Sequence, residues 1–159
     1  MPAVPFDKMI VEVSEDNSIV GAIESRWISE PGGLTQFGAL IETLKPGTRS
    51  SISHWHLNED EMILVLEGQV VLHEGPQKTV LKTGDAATFP ANSPVGHFLE
   101  NADTVAARYL VVGTRAPTDV ITYPDHDRKC VRVRALSEDI WLDSTGLQAE
   151  NPYTELSGR

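Results

Sequence analysis

Two histidines separated by one residue, His54 and His56, are the first candidates for chemistry in the sequence. In a β-strand, residues two apart point to the same face about 6.5 to 7 Å from each other. Both imidazoles can therefore converge on one ion, with bonds of about 2.1 Å. Glu61 begins the next apolar run after a polar turn and can lie beside the pair as a carboxylate ligand. Two imidazoles and one carboxylate suit a divalent transition metal.

A second segment supplies a further histidine. His97 follows a proline-containing loop and begins another short run of strand-forming residues. If that strand lies beside the first pair in a rolled sheet, the site has three histidines and one glutamate. An octahedral ion bound by these four side chains keeps two positions open. The predicted cofactor is one divalent transition metal: manganese, iron, zinc or nickel.

The elements that must position these residues are short apolar or alternating runs, separated throughout by glycine, proline, asparagine and aspartate. Helical periodicity is hard to find, and the turn residues favour hairpins. We therefore predict an all-β fold, either a sandwich, a jelly roll or a closed barrel. The predicted strands cover residues 9–13, 19–27, 36–44, 50–56, 61–66, 69–73, 78–81, 86–89, 97–101, 105–112, 120–123 and 130–134.

The first histidine segment resembles the first motif of the cupin superfamily, G-x5-HxH-x3,4-E-x6-G. Four of its residues fit without adjustment: His54, His56, Glu61 and Gly68. The glycine that opens the motif is Gly47, which is separated from the first histidine by six residues rather than five.

The second segment resembles the second cupin motif, G-x5-PxG-x2-H-x3-N. The matching residues are Gly84, Pro90, His97 and Asn101. Asn92 takes the place of the glycine after the proline, and the loop that follows is two residues longer than the pattern. Because asparagine tolerates the left-handed backbone conformation, we expect Asn92 to serve the same turn.

The resemblance implies a double-stranded β-helix, or jelly roll, with one metal bound inside by His54, His56, Glu61 and His97. The whole chain, residues 1–159, is expected to form one domain with a core at about residues 35–123. The tail from residue 135 to residue 159 is expected to wrap over the barrel, with one helical turn near Ser137. The HWH-x4-E spacing and the YPDHD segment at residues 123–127 resemble a subgroup of small single-domain cupins.

Cupins include dioxygenases, isomerases, epimerases, decarboxylases, lyases and ligand-binding domains, so the fold does not select an activity. The leading hypothesis is a metal-dependent enzyme, dioxygenase-like or lyase-like, acting on a small oxygen-bearing molecule. Glu61 is its candidate catalytic residue, as a proton shuttle when it leaves the ion. One alternative is a non-catalytic module that binds a small ligand. Another is a sugar-phosphate isomerase or epimerase, which predicts a basic residue facing the cavity.

Three further residues are open to two interpretations each. Arg49 and Arg108 lie near the motifs, and each either points into the barrel to bind an anionic substrate or lies at the surface in a salt bridge. His126 lies between two aspartates in a turn that begins with proline. It is either a hydrogen-bonded loop residue or a residue at the edge of the pocket.

Composition and charge exclude several classes of protein. The 13 basic and 23 acidic residues give a net charge of −10, which would repel a nucleic-acid backbone. No apolar run approaches the roughly 18 residues of a membrane span. Because Cys130 is the single cysteine, no intrachain disulfide forms, and we expect a packed thiol and a cytoplasmic protein.

The run at residues 62–66 is apolar on both faces, which favours burial inside a sandwich or in a homodimer.

Overall fold

The computed structural model describes residues 3–14 and 19–155. The predicted all-β class is confirmed. Within these ranges the strands are β1 (Ile10–Val13), β2 (Ile23–Trp27), β3 (Phe37–Leu44), β4 (Trp55–His56), β5 (Glu61–Glu67), β6 (Gln69–Glu74), β7 (Gln77–Lys82), β8 (Ala86–Phe89), β9 (His97–Glu100), β10 (Ala107–Thr114), β11 (Thr118–Tyr123), β12 (Arg128–Val133) and β13 (Ile140–Leu142).

The helical segments are short. The α-helices α1 (Ser29–Gly32) and α2 (Pro152–Glu155) have four residues each, and two 3₁₀ turns cover Phe6–Lys8 and Pro124–His126. No helix in the described part of the chain has the length and apolarity needed to cross a bilayer.

The strands form antiparallel sheets that face each other across a central space. The largest sheet has the order β1-β2-β3-β10-β5-β8, and the smaller ones have the orders β13-β12-β11-β4 and β7-β6-β9. Isolated bridges from His54 to His97 and from Arg49 to Glu100 join the two smaller sheets side by side. The chain therefore rolls into the expected double-stranded β-helix, and the bridge at residue 97 brings both histidine segments together.

Alternation along the central strands decides which side chains enter the barrel. In β5, Ile63 and Val65 are buried, while Met62 and Leu66 on the other face are 36% and 39% exposed. Successive residues of a strand point to opposite faces, so this outer apolar row is left uncovered in the single chain. The strand is thus buried on one face only, and its outer face is available for the predicted homodimer.

The tail differs from the sequence prediction in its secondary structure. The helical turn expected near Ser137 is wrong, because residues 136–138 form bends. Instead, β13 pairs antiparallel with β12 at the edge of the sheet, and α2 follows with Pro152 fully buried. The tail thus joins the edge of the sheet through β13. The ends of the predicted domain, residues 1–2 and 156–159, lie outside the described residues.

Candidate metal centre

The barrel encloses a cavity of about 280 Å³ that contains the side chains singled out in the sequence. Strands from both sides of the barrel form its walls, which combine apolar, aromatic and ionisable groups. All four predicted ligands line it: His54, His56, Glu61 and His97. A cavity of this size holds roughly nine waters at about 30 Å³ each, so it suits a small molecule.

The ligand atoms lie close to the separation that one ion requires. Atoms bonded to a common ion at about 2.1 Å lie roughly 3.0 to 4.2 Å apart. One ligand atom each from His54, His56 and Glu61 lies within 4.8 Å of the other two. The Nε2 atom of His97 lies 3.8 Å from Oε1 of Glu61. His97 is not in the group of three whose ligand atoms all lie within 4.8 Å of one another, so binding all four side chains to a single cation requires the side chains to shift.

Hydrogen bonds fix which nitrogen each imidazole presents. Nδ1 of His54 donates to the carbonyl oxygen of Ile52 over 3.0 Å. Nδ1 of His56 donates to Oδ2 of Asp119 over 2.6 Å, and the other carboxylate oxygen of Asp119 accepts the Asn58 N–H over 2.8 Å. In both histidines Nε2 therefore carries the free lone pair, which is the arrangement that metal-binding histidines need.

The third histidine of the cluster, His97, is buried. Its side chain is 6% exposed, and Nε2 of His97 is buried with no hydrogen bond among the described residues. Its ring stacks on that of Phe89, with the centroids 3.7 Å apart and the planes inclined by 2°. A buried polar atom without a partner costs free energy. A cation at the cluster would satisfy this atom, so the residues present fit a metal.

Burial and mutual proximity also set the protonation states that ligation requires. Burial lowers the pKa of His54 to about 4, and the neighbouring His97 and His56 add to this shift while the Glu61 charge opposes it. Burial acts to raise the pKa of Glu61, but the imidazoles of His97, His54 and His56 outweigh it and the pKa is lowered. At neutral pH the cluster therefore offers a neutral imidazole at His54 and a carboxylate.

The lengthened loop before His97 is tied to the first histidine pair. Asn92 has a φ of 61°, so it adopts the left-handed conformation predicted from the missing glycine. Its N–H donates to the carbonyl oxygen of His56 over 2.9 Å. At the end of the loop, a Cβ on Gly96 would lie 2.3 Å from the Ser53 hydroxyl oxygen. The two extra residues are accommodated without moving His97 out of the cavity.

Arg49 and Arg108 do not point into the barrel, which was one of the two possibilities considered for them. Arg49 is 51% exposed and lies 4.0 Å from Glu100, and Arg108 forms an ion pair with Glu67 at 3.3 Å. Both are surface residues in salt bridges. Because Tyr109 points into the barrel, its strand neighbour Arg108 must point outward.

His126 lies in the 3₁₀ turn before β12, where its carbonyl oxygen accepts a hydrogen bond from Arg128. It is absent from the described lining of the cavity.

Two charged wall residues, Arg132 and Glu42, were not identified from the sequence. Arg132 lines the cavity, with Nε and Nη2 donating to the carboxylate of Asp139. Glu42 and Tyr109 line the opposite side, and the Tyr109 hydroxyl donates to Oε2 of Glu42. In the sequence, the signal that could have identified Glu42 as a wall residue is the position of a charged residue within an apolar run.

Comparison with known proteins agrees with this fold. The cupin domain family matches residues 40–113. A sugar phosphate isomerase of the cupin superfamily from Silicibacter pomeroyi is 30% identical, covers 96% of this chain and 99% of its own, and superposes with a TM-score of 0.82. A polyketide cyclase from Streptomyces resistomycificus is 24% identical, with 87% and 89% coverage and a TM-score of 0.61, which supports the fold alone. No curated protein matches the chain in sequence.

A double-stranded β-helix with three histidines and a glutamate in its cavity defines the class of protein. The chain belongs to the cupin superfamily.

Proposed function

We propose that this cupin binds one divalent transition metal through His54, His56, Glu61 and His97, and that it is an enzyme acting on a small oxygen-bearing molecule. The observation that carries the proposal is the buried Nε2 atom of His97. It has no hydrogen-bond partner among the described residues and lies 3.8 Å from the Glu61 carboxylate. The donor set of neutral nitrogen and anionic oxygen suits manganese, iron, zinc or nickel.

Each residue has a defined part in such a site. A bound ion would act as a Lewis acid on an oxygen atom of the substrate. Asp119 would hold the His56 ring in its ligating orientation, and Phe89 would hold the His97 ring by stacking. Glu61 would serve as a ligand and, when detached, as a proton shuttle. The apolar wall formed by residues such as Ile63 would limit the access of water.

The metal proposal is tested by elemental analysis of protein purified without added metal. We expect about one ion per chain in the wild type, loss of the ion in His54→Ala and a marked decrease in His97→Ala. His126→Ala is the matched control, because this histidine lies outside the described cavity lining. Equal metal content in all four proteins would refute the site. Loss in the first variant but not in the second would leave a site without His97.

The enzymatic part is tested with metal-loaded protein and a panel of small hydroxy acids, phenols, enols and sugars. Product formation, or oxygen uptake that depends on the added compound, is the expected result. A compound that binds and is recovered unchanged after long incubation would instead support the non-catalytic binding module.

A sugar-phosphate isomerase or epimerase is the second candidate. The Silicibacter pomeroyi relative bears that description, and Arg132 supplies the basic residue that this hypothesis requires in the cavity. Its guanidinium is already paired with Asp139, so a phosphate would have to compete with a carboxylate. If Arg132 binds the phosphate, Arg132→Gln raises KM for sugar phosphates and leaves KM for the unphosphorylated sugars unchanged.

We also propose that the chain forms a homodimer through the outer face of the largest sheet. The exposed side chains of Met62 and Leu66 lie in one row on β5, beside an apolar groove lined by Val112 and Pro90. A second copy would cover this uncovered apolar surface.

A further inference from the structure

A second pocket lies beside the end of β12, and the proposed metal site does not use it. Its volume is about 470 Å³, and its described lining includes Arg115, Arg132 and Arg134. Arg132 is the one described residue that lines both this pocket and the metal cavity. The two spaces are therefore neighbours, but none of the four proposed metal ligands lines the second one.

The charge of this pocket differs from that of the chain as a whole. The protein has 13 basic and 23 acidic residues, whereas the described lining of the pocket has three arginines and one carboxylate, that of Asp139. Arg132 and Arg134 are two residues apart at the end of β12, so strand alternation turns them to the same side. Arg115 follows directly after β10, and the fold brings it to this pair.

Two of the guanidinium groups are held in place by acceptors that use only part of their donors. Arg134 donates from Nε to the carbonyl oxygen of Ala116 over 2.9 Å and from Nη2 to the Glu59 carboxylate. Arg132 uses Nε and Nη2 for the carboxylate of Asp139. Neither Nη1 atom makes a hydrogen bond to the described residues. Because a guanidinium has five N–H donors, both groups are oriented and still have donors to offer.

Arg115 is held in a similar way, by Glu30 and by the carbonyl oxygen of Leu34. With Glu59 and Asp139, Glu30 balances the charge of the three arginines, which removes the cost of gathering three like charges. Glu30 and Glu59 are absent from the described lining, so the pocket presents more positive than negative charge. The side chains of the three arginines are 20% to 35% exposed, and a solute can therefore reach them.

The remainder of the lining combines hydroxyl groups with apolar surface. Thr35 and Ser137 supply the hydroxyl groups, and Val133 and Leu136 supply the apolar surface. A hydroxyl can donate a hydrogen bond to an anionic oxygen, and apolar surface suits the carbon atoms of a small ester.

We propose that this pocket binds a phosphate group, either as free phosphate or as a small phosphate monoester. Guanidinium groups match the geometry of phosphate oxygens, and hydrogen bonds between ionised groups are stronger than neutral ones. A phosphate carries more charge and more acceptor oxygens than a carboxylate, so it can use donors from more than one arginine. The inference does not rest on the proposed function, because the metal ligands take no part in it.

The test is titration calorimetry with inorganic phosphate. The protein is first stripped of metal with a chelator and dialysed, so that phosphate cannot bind through a metal ion. We expect saturable binding of one phosphate per chain that weakens as sodium chloride is raised. Glycerol phosphate and glycerol separate the two sources. Tighter binding of the ester than of phosphate indicates a monoester site, the reverse order indicates a site for free phosphate, and equal binding of glycerol would contradict both.

Two variants test the location. Arg115→Gln and Arg134→Gln each remove a guanidinium that lines the pocket but not the metal cavity. Each should weaken phosphate binding by about tenfold or more, since hydrogen bonds to charged groups are lost. Arg108→Gln is the matched control, because it removes a surface arginine that is paired with Glu67 outside the described lining of this pocket.

A further pair of variants leaves all three arginines in place. Leu136 is 57% exposed in the pocket, so Leu136→Asp should fold normally and repel the anion, with affinity about tenfold lower. Leu147→Asp makes the same change at a side chain that is 68% exposed and outside the described lining. It should bind phosphate as the wild type does.

The outcomes separate this site from the metal centre. A wild-type protein that shows no saturable binding at millimolar phosphate would overturn the proposal, and so would equal affinities in Leu136→Asp and Leu147→Asp. Phosphate binding that appears only after metal is added would place the anion at the metal centre and overturn this site. A chain that binds phosphate but never retains metal would support this site and overturn the proposed function.

Discussion

The buried carboxyl of Glu42, whose partners among the described residues are hydroxyl groups, leads to a quantitative prediction about stability. In the metal-free protein, its pKa of about 7 compares with an ordinary value of 4.5. Between these pH values the folded chain retains a proton that the unfolded chain releases, so the free energy of unfolding falls as pH rises through this window. Glutamine has nearly the same shape, can accept the Tyr109 hydrogen bond and has no proton to lose. Glu42→Gln should therefore stabilise the protein at high pH.

The size of the effect follows from the two pKa values. A difference of about 2.5 pH units corresponds to roughly 3 kcal/mol at about 1.4 kcal/mol per unit. Because the carboxyl lines a cavity that water can enter, about 2 kcal/mol is the expected gain of Glu42→Gln at pH 8. At pH 5 the wild-type carboxyl is protonated in the folded state, and the advantage should shrink to below about 1 kcal/mol.

Urea denaturation in the presence of a chelator, at pH 5 and pH 8, measures this difference. Glu67→Gln on the outer face of β5 controls for the loss of one negative charge from this acidic chain. A Glu42→Gln variant that is no more stable than the wild type at pH 8, or whose advantage is the same at both pH values, would refute the reasoning.

Three other perturbations have expected outcomes. Asp119→Asn removes the anionic acceptor that orients His56, so metal affinity measured against a competing chelator should fall by about 10- to 100-fold; an unchanged affinity would contradict the role of that hydrogen bond. Gly68→Ala should cost roughly 2 to 3 kcal/mol in urea denaturation, because φ is +75° and the new Cβ would lie 3.0 Å from a backbone carbonyl oxygen. Gly84→Ala is its control, because φ is +94° and no other atom would lie within 4 Å of the new Cβ. We expect this variant to lose about 1 kcal/mol in the free energy of unfolding. Equal losses in the two variants would mean that the structure shifts to relieve the contact at Gly68. Met62→Glu should convert a dimer into a 17.4 kDa species in equilibrium sedimentation, whereas a monomeric wild type would remove the dimer proposal.

The proposed ligands could be predicted from sequence because their geometry is local. His54 and His56 share a face by strand alternation, and Glu61 follows after one turn. Asn92 could also be predicted, since its residue type tolerates the left-handed conformation that it adopts. The prediction of His97 as a ligand also required the family resemblance, because the pattern of one strand does not show which other strand pairs with it.

The far wall of the cavity could not be predicted in the same way. Glu42 meets Tyr109 only through the register of two strands that are more than sixty residues apart in sequence. Arg132 enters the cavity where Arg49 and Arg108 do not, and the choice depends on which face of each strand is turned inward. β13 was missed because a three-residue strand is defined by its partner at the sheet edge rather than by its own pattern.

The spacing of the four proposed ligands has a consequence for the order of assembly. Three of them lie within the eight residues from His54 to Glu61, and His97 follows 36 residues after Glu61. If this segment binds a cation in the nascent chain, it would do so before β9 has docked, and docking would then add His97 as the fourth ligand. If the unfolded chain also binds the ion through this segment, loading would raise the melting temperature less than the affinity of the finished site suggests.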